Sequence, residues 1–102
     1  MKLYYVYIVE CLDSSYYIGV TSNVFERVEE HNIGMDKDSY TYLRRPVKLK
    51  WYAAFTDVNL AILKEKQLKG WTRKKKEALI NKDWERLKEY AKNYTQHQKG
   101  NG

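Results

Sequence analysis

A chain of 102 residues and 12.3 kDa leaves room for one compact domain and no appended module. Lys and Arg number 19 against 13 Asp and Glu, a formal charge of +6, and the single Cys11 excludes an internal disulfide and a thiolate-rich zinc site. Apolar runs are too short for a membrane span, and Met1-Lys2 leads straight into a β-rich run with no secretory signal, so a reduced, cytoplasmic domain is expected.

In chain order, residues 3–10 (LYYVYIVE) are β-branched and aromatic and predict a strand. Leu12-Asp13-Ser14-Ser15 supplies turn chemistry, and residues 16–21 (YYIGVT) predict the second arm of a hairpin. Asn23 with Glu26 is a helix N-terminal signature, and the helix from about Val24 should stop near Gly34. Residues 35–46 are polar and irregular and read as a loop. Residues 47–55 alternate, with Leu49, Trp51, Ala53 and Phe55 expected on one face and Lys48, Lys50 and Tyr52 on the other. Thr56 or Asp57 can cap a helix over 58–69, Thr72 can start a basic helix, and Asp83 can cap a last one from Trp84 to about Tyr94. The order β-β-α-β-α-α-α predicts an α+β domain over 1–94, a small, mainly antiparallel three-stranded sheet flanked by helices. Residues 95–102 are expected to be a disordered tail.

The basic excess is uneven. Residues 64–92 hold eleven Lys or Arg and five Asp or Glu, which accounts for the whole +6. The densest run is Arg73-Lys74-Lys75-Lys76. Such a run is either a solvated helical face or a surface that releases counterions from nucleic-acid phosphates. Composition does not choose between them.

Several polar groups stand out by position. Tyr5 and Tyr7 share a face of the first predicted strand, and Tyr17 and Gly19 a face of the second. Arg27 and His31, four apart, share a helix face, and Val24, Phe25 and Val28 are the expected apolar stripe. Glu65 is the only carboxylate between Val58 and Lys76, set among Lys64, Lys66 and Lys69. Singly, these are packing tyrosines, a solvated Arg/His pair and a salt-bridging glutamate. Trp51, Trp71 and Trp84 can stack on bases, but their settings predict core packing. Cys11 and His97 are assigned no role.

Together the same residues resemble the GIY-YIG nuclease superfamily, in particular its small single-domain bacterial members. Val6-Tyr7-Ile8 and, ten residues on, Tyr17-Ile18-Gly19 look like its paired motif. Arg27 and His31 match the Arg and the His or Tyr of the following helix. Tyr40-Thr41, Arg45-Pro46, the run at residues 49–52 and the stretch from Glu65 to Ile80 continue the likeness. It spans roughly residues 3–87. Tyr5 and Val6 stand where the first motif usually has Gly and Ile, and the loop at residues 34–39 is more acidic than is usual.

The resemblance implies a divalent-metal-dependent endonuclease or nickase that hydrolyses DNA phosphodiester bonds, in repair or recombination, with Mg²⁺ or Mn²⁺. It assigns Tyr7 as general base, Tyr17 to position water or phosphate, Arg27 to the phosphate charge and His31 to receive the proton. Glu65 becomes the metal ligand, and Arg73, Lys74, Lys75, Lys76 and Asn81 contact nucleic acid. A non-catalytic nucleic-acid-binding module of the same fold and a basic protein-interaction domain are the alternatives. DNA or RNA, and a partner protein that supplies specificity, both stay open.

Overall fold

A computed structural model describes residues 1–90 of the chain. The expected tail, the last turn of the final helix and His97 lie outside the described residues. Residues 1–69 form one compact unit, and the chain from Gly70 onward forms another.

In the first unit, β1 (Tyr4–Glu10), β2 (Tyr16–Thr21) and β3 (Lys48–Phe55) make an antiparallel sheet in the order β2-β1-β3. Helix α1 (Val24–Ile33) lies between β2 and β3 in sequence, and α2 (Val58–Lys69) follows β3. The second unit holds α3 (Arg73–Ile80) and a helical segment over residues 84–90. The α+β class and the element order are those read from the sequence.

β1 is the central strand and is covered on both faces, so Val6, Ile8 and Val9 have no exposed surface. Its unbroken apolar and aromatic composition suits that position better than strict alternation would. The hairpin turn closes through Cys11 N donating to Ser15 O at 2.8 Å, with Asp13 accepting the Ser15 amide at 3.0 Å. On one face of the sheet, Tyr7, Val9, Val24 of α1 and Val47 form a buried cluster, joined by half-buried Tyr17, Val28 and Leu49. On the other, α2 contacts all three strands and buries Ala61 and Leu68.

Four local expectations change. An irregularity between Ile8 and Val9 sets Leu49 opposite Val9 and Trp51 opposite Ile8, so Leu49 leaves the face of Trp51 and packs beside Tyr7. Phe25 is 68% exposed, because the stripe of α1 that meets the sheet is only Val24 and Val28 wide. Its ring instead meets the edge of Tyr52 at 5.9 Å between centroids. Trp84 is half exposed, so core packing does not hold for it. The expected loop contains a short 3-10 turn, Tyr42–Arg44.

The helix ends follow the sequence signals. Asn23 accepts the Glu26 amide at 3.2 Å, Asp57 accepts that of Asn59 at 2.8 Å, and Asp83 accepts that of Arg86 at 3.2 Å. Gly34 ends α1 in the left-handed conformation, φ 80°.

Candidate active site

The loop after α1 is fixed by three side chains. Arg45 donates from Nη1 to Ile33 O at 3.1 Å, capping the end of α1, and from Nε to Tyr42 O of the 3-10 turn at 2.7 Å. Gly34 lies against that guanidinium, and its φ of 80° is what favours glycine there. Arg44 binds Asp13 Oδ2 at 3.1 Å and the Tyr40 carbonyl at 2.8 Å, and lies 3.8 Å over the Tyr40 ring. Asn32 holds both the amide and the carbonyl of Val47, at 2.7 and 3.1 Å. These groups tie the loop to the hairpin, to α1 and to the start of β3.

What the clamped loop delivers is Thr41, 1% exposed, at a cavity of about 490 Å³. Tyr7 and Tyr17 from the sheet, Arg27 and His31 from α1 and Glu65 from α2 all line this cavity. The first unit therefore brings together all five candidate catalytic residues. Arg73, Lys74, Lys75, Lys76 and Asn81 belong to the second unit.

Tyr7 Oη lies 2.9 Å from His31 Nε2. The ring sits directly opposite Gly19 in the β1–β2 register, and any Cβ at Gly19 would run into it. Gly19 thus makes space for Tyr7. On its other nitrogen, His31 Nδ1 meets Thr41 Oγ1 at 2.8 Å, and Thr41 Oγ1 is 3.0 Å from Ser39 Oγ. Tyr17 meets His31 edge-on at 5.3 Å between centroids and stacks on Tyr40 at 6.0 Å. Tyr40 is consequently covered by Tyr17 on one side and by Arg44 on another.

Burial, reinforced by Tyr17, pushes the Tyr7 hydroxyl far above the usual tyrosine range, and Arg27 only partly opposes it. Burial, helped by Arg27, holds His31 below the ordinary histidine value. His31 is therefore neutral at pH 7 and able to accept a proton. Sequence reasoning noted Thr41 only as part of the likeness and gave it no role, and it passed over Ser39. They sit in a polar stretch with no periodicity, and Thr41 is buried by long-range clamps that no local pattern reveals.

The residues fit a divalent cation of the hard, water-keeping kind. Glu30, Asp36 and Glu65 line the cavity against one guanidinium, Arg27, so its rim repels a phosphate unless a cation is present. No group of three or more His, Cys, Asp or Glu able to cage a metal occurs among the described residues. A single carboxylate is what a magnesium-type ion needs when water and phosphate oxygens complete its shell. Glu65 is partly shielded, with its Oε2 3.4 Å from Lys69 Nζ.

In the second unit, Arg73 pairs with Glu77 at 2.8 Å and Lys75 lies 4.4 Å over the Trp71 ring. Lys76 is half-buried, which lowers its pKa, and Lys74 is exposed. Asn81 caps α3 with its backbone amide and leaves its side chain at the surface.

The family model for the GIY-YIG catalytic domain matches residues 3–78. The chain belongs to this family. GIY-YIG domains are nuclease domains that act on DNA and generally use divalent metal ions. Among relatives, a UPF0213 protein of Haloquadratum walsbyi is 45% identical over 76 residues, 74% of this chain and 84% of that one. A UPF0213 protein of Syntrophus aciditrophicus is 39% identical over 87 residues, 85% of this chain and all of its own. The solution NMR structure of a UPF0213 protein from Bacillus halodurans matches with a TM-score of 0.51 at 38% identity, covering 78% of this chain and 83% of that one. No helix among the described residues is long and apolar enough to cross a membrane.

Proposed function

We propose that this protein is a divalent-metal-dependent endonuclease of the cytoplasm that nicks DNA at phosphodiester bonds. The observation that carries this reading is the convergence of Tyr7, Tyr17, Arg27, His31 and Glu65 on one cavity, with Tyr7 hydrogen-bonded to a neutral His31.

The roles follow from the chemistry of each group. A hydroxyl held far above its usual pKa gives no free tyrosinate at pH 7, so Tyr7 acts as a base only by handover. Its Oη takes a proton from the attacking water as its own proton passes 2.9 Å to His31 Nε2. Arg27 leaves its half-exposed pair with Glu30, 3.5 Å apart, to bind phosphate oxygens; an exposed pair of this kind is worth ~0–1 kcal/mol, so the exchange costs little. Tyr17 holds the water or the phosphate against the His31 edge. Glu65 would hold the cation, which when bound would supply positive charge to the phosphate and to the departing oxygen. Exposed cations of α3 add affinity for the backbone without reading sequence.

The test is nicking of supercoiled plasmid with Mg²⁺ or Mn²⁺, then with EDTA. Open circles that form with metal and not with EDTA support the reading. Cleavage that persists in EDTA overturns the metal. Binding without cleavage across linear, nicked, flapped, branched and single-stranded DNA, and across RNA, makes the protein a binding module.

A further inference from the structure

We infer that Thr41 is a positioning residue that sets which nitrogen of His31 carries the proton, and so keeps Nε2 available to Tyr7; this rests on the role proposed for Tyr7. Four groups stand in a row: Tyr7 Oη, the two nitrogens of His31, Thr41 Oγ1 and Ser39 Oγ, at successive separations of 2.9, 2.8 and 3.0 Å. Because a neutral imidazole has one donor and one acceptor, the row has two self-consistent directions. In the outward direction Tyr7 donates to Nε2, Nδ1–H donates to Thr41 and Thr41 donates to Ser39. In the inward direction every bond reverses.

Burial selects between them. Tyr7 is 2% exposed, and His31 Nε2 is the hydrogen-bond partner that the described residues offer its hydroxyl. In the inward direction the Tyr7 proton would have only cavity water to bond, whereas the outward direction gives it a fixed acceptor 2.9 Å away and leaves the oxygen lone pairs facing the cavity. At the far end, Ser39 Oγ accepts the Thr41 amide at 3.3 Å and keeps a second lone pair for the Thr41 hydroxyl. No fully buried side-chain N or O among the described residues lacks a hydrogen-bond partner, so the row is complete.

Thr41 is the link that no apolar residue replaces. A valine would fill the same space and offer nothing to Nδ1–H. The imidazole would then move its proton to Nε2, where it donates to Tyr7 instead of accepting from it. Tyr7 would stay in place and lose its acceptor, so the rate would suffer and substrate affinity would not.

The experiment compares wild type, Thr41→Val and Thr41→Ser by the nitrogen spectrum of His31 in ¹⁵N-labelled protein and by plasmid nicking with Mg²⁺. The expected result is Nδ1–H in wild type and Thr41→Ser and Nε2–H in Thr41→Val. The valine variant should lose kcat by roughly 10–100-fold at unchanged KM, by analogy with removal of the hydrogen-bond partner that orients a metal-ligating histidine. Serine should restore most of the rate. Nε2–H in wild type overturns the proposal without any variant. So does an unchanged tautomer or a full rate in Thr41→Val, and so does a Thr41→Ser as slow as Thr41→Val, which would make the methyl group responsible. Should Thr41→Val fail to fold, wild type and Thr41→Ser decide, since Nε2–H in either overturns the proposal and Nδ1–H in both supports it. If wild type cleaves no substrate, the nuclease reading fails, while the nitrogen spectrum still decides for or against Thr41.

Discussion

Taken as ion pairs, Arg27 of the first unit and Arg73 of the other are alike. Each is a half-exposed arginine bound to a glutamate of its own helix, Arg27 to Glu30 at 3.5 Å and Arg73 to Glu77 at 2.8 Å. Their surroundings differ. Arg27 opens onto a cavity shared with a buried tyrosine, the half-buried histidine it bonds and a carboxylate from another helix. Arg73 heads a row of lysines, of which Lys75 lies on Trp71 and Lys74 faces solvent. In the proposed mechanism the first cation belongs to a constellation in which every group has a distinct task, and the second to a surface where charges act by number. Losing one member should therefore abolish function in the first unit and only weaken binding in the second.

The largest effects should come from the cavity. Glu65→Gln removes the carboxylate that suits a magnesium-type ion, and metal-dependent nicking should vanish. Affinity for DNA in EDTA should stay equal or rise, because a negative charge leaves a rim already rich in carboxylates. As a structural residue Glu65 would contribute only a half-exposed pair with Lys69, worth on the order of 1 kcal/mol, so full nicking by the variant would remove it from the site. Tyr7→Phe should likewise lose nicking while the fold stays intact, since Phe keeps the ring packing against Gly19 and deletes only the hydroxyl. Full nicking by Tyr7→Phe would transfer the base role to another group.

The second unit should answer by degrees. Replacing Lys74, Lys75 and Lys76 together by Ala should lower the slope of log affinity against log salt by about 2–3 on duplex DNA. An unchanged slope would assign the row to a solvated face. A smaller effect, on stability, is expected where β2 meets Tyr7. Gly19→Ala drives a methyl group into the Tyr7 ring, and overpacking of this sort costs about 1–3 kcal/mol. In a domain of this size each kcal/mol lowers Tm by roughly 4–8 °C, which thermal unfolding resolves.

The two units were not equally legible from sequence. Strands, helices and caps were readable because their signals are local: the aromatic run of β1, Asn23 before α1, Thr72 before α3. The spacing of Arg27 and His31 gave a shared helix face, and the likeness to a nuclease family grouped them with Tyr7, Tyr17 and Glu65. No pattern within a window could bring α2 to the same cavity as α1. The irregularity at Ile8 and Val9 was hidden too, because one extra residue in a ladder leaves the alternation of β3 unbroken in sequence. Thr41 was least visible of all. Its burial depends on Arg44 reaching Asp13 in the hairpin turn and on Asn32 gripping Val47, contacts made far along the chain.

The smallest expected effect concerns pH and links the cavity to the stability of its own unit. His31 is held below the ordinary value of 6.5 by burial and by Arg27, with Glu30 and Asp36 opposing. The unfolded chain therefore binds a proton at His31 more readily than the folded protein does. Between the folded value and about 6.5 the unfolded state carries more protons, so stability rises with pH in that window. The contribution is fully present above about pH 6.5 and is lost as pH falls through the folded value. Protonation also fills Nε2, so Tyr7 loses its acceptor and nicking should fall over the same range. Urea midpoints at about pH 7.5 and 5.5 should differ more for wild type than for His31→Gln, which has no imidazole to titrate. An equal difference in the two proteins would mean that His31 takes up its proton as easily when folded as when unfolded, and the neutral acceptor required by Tyr7 would then have no special protection in the fold.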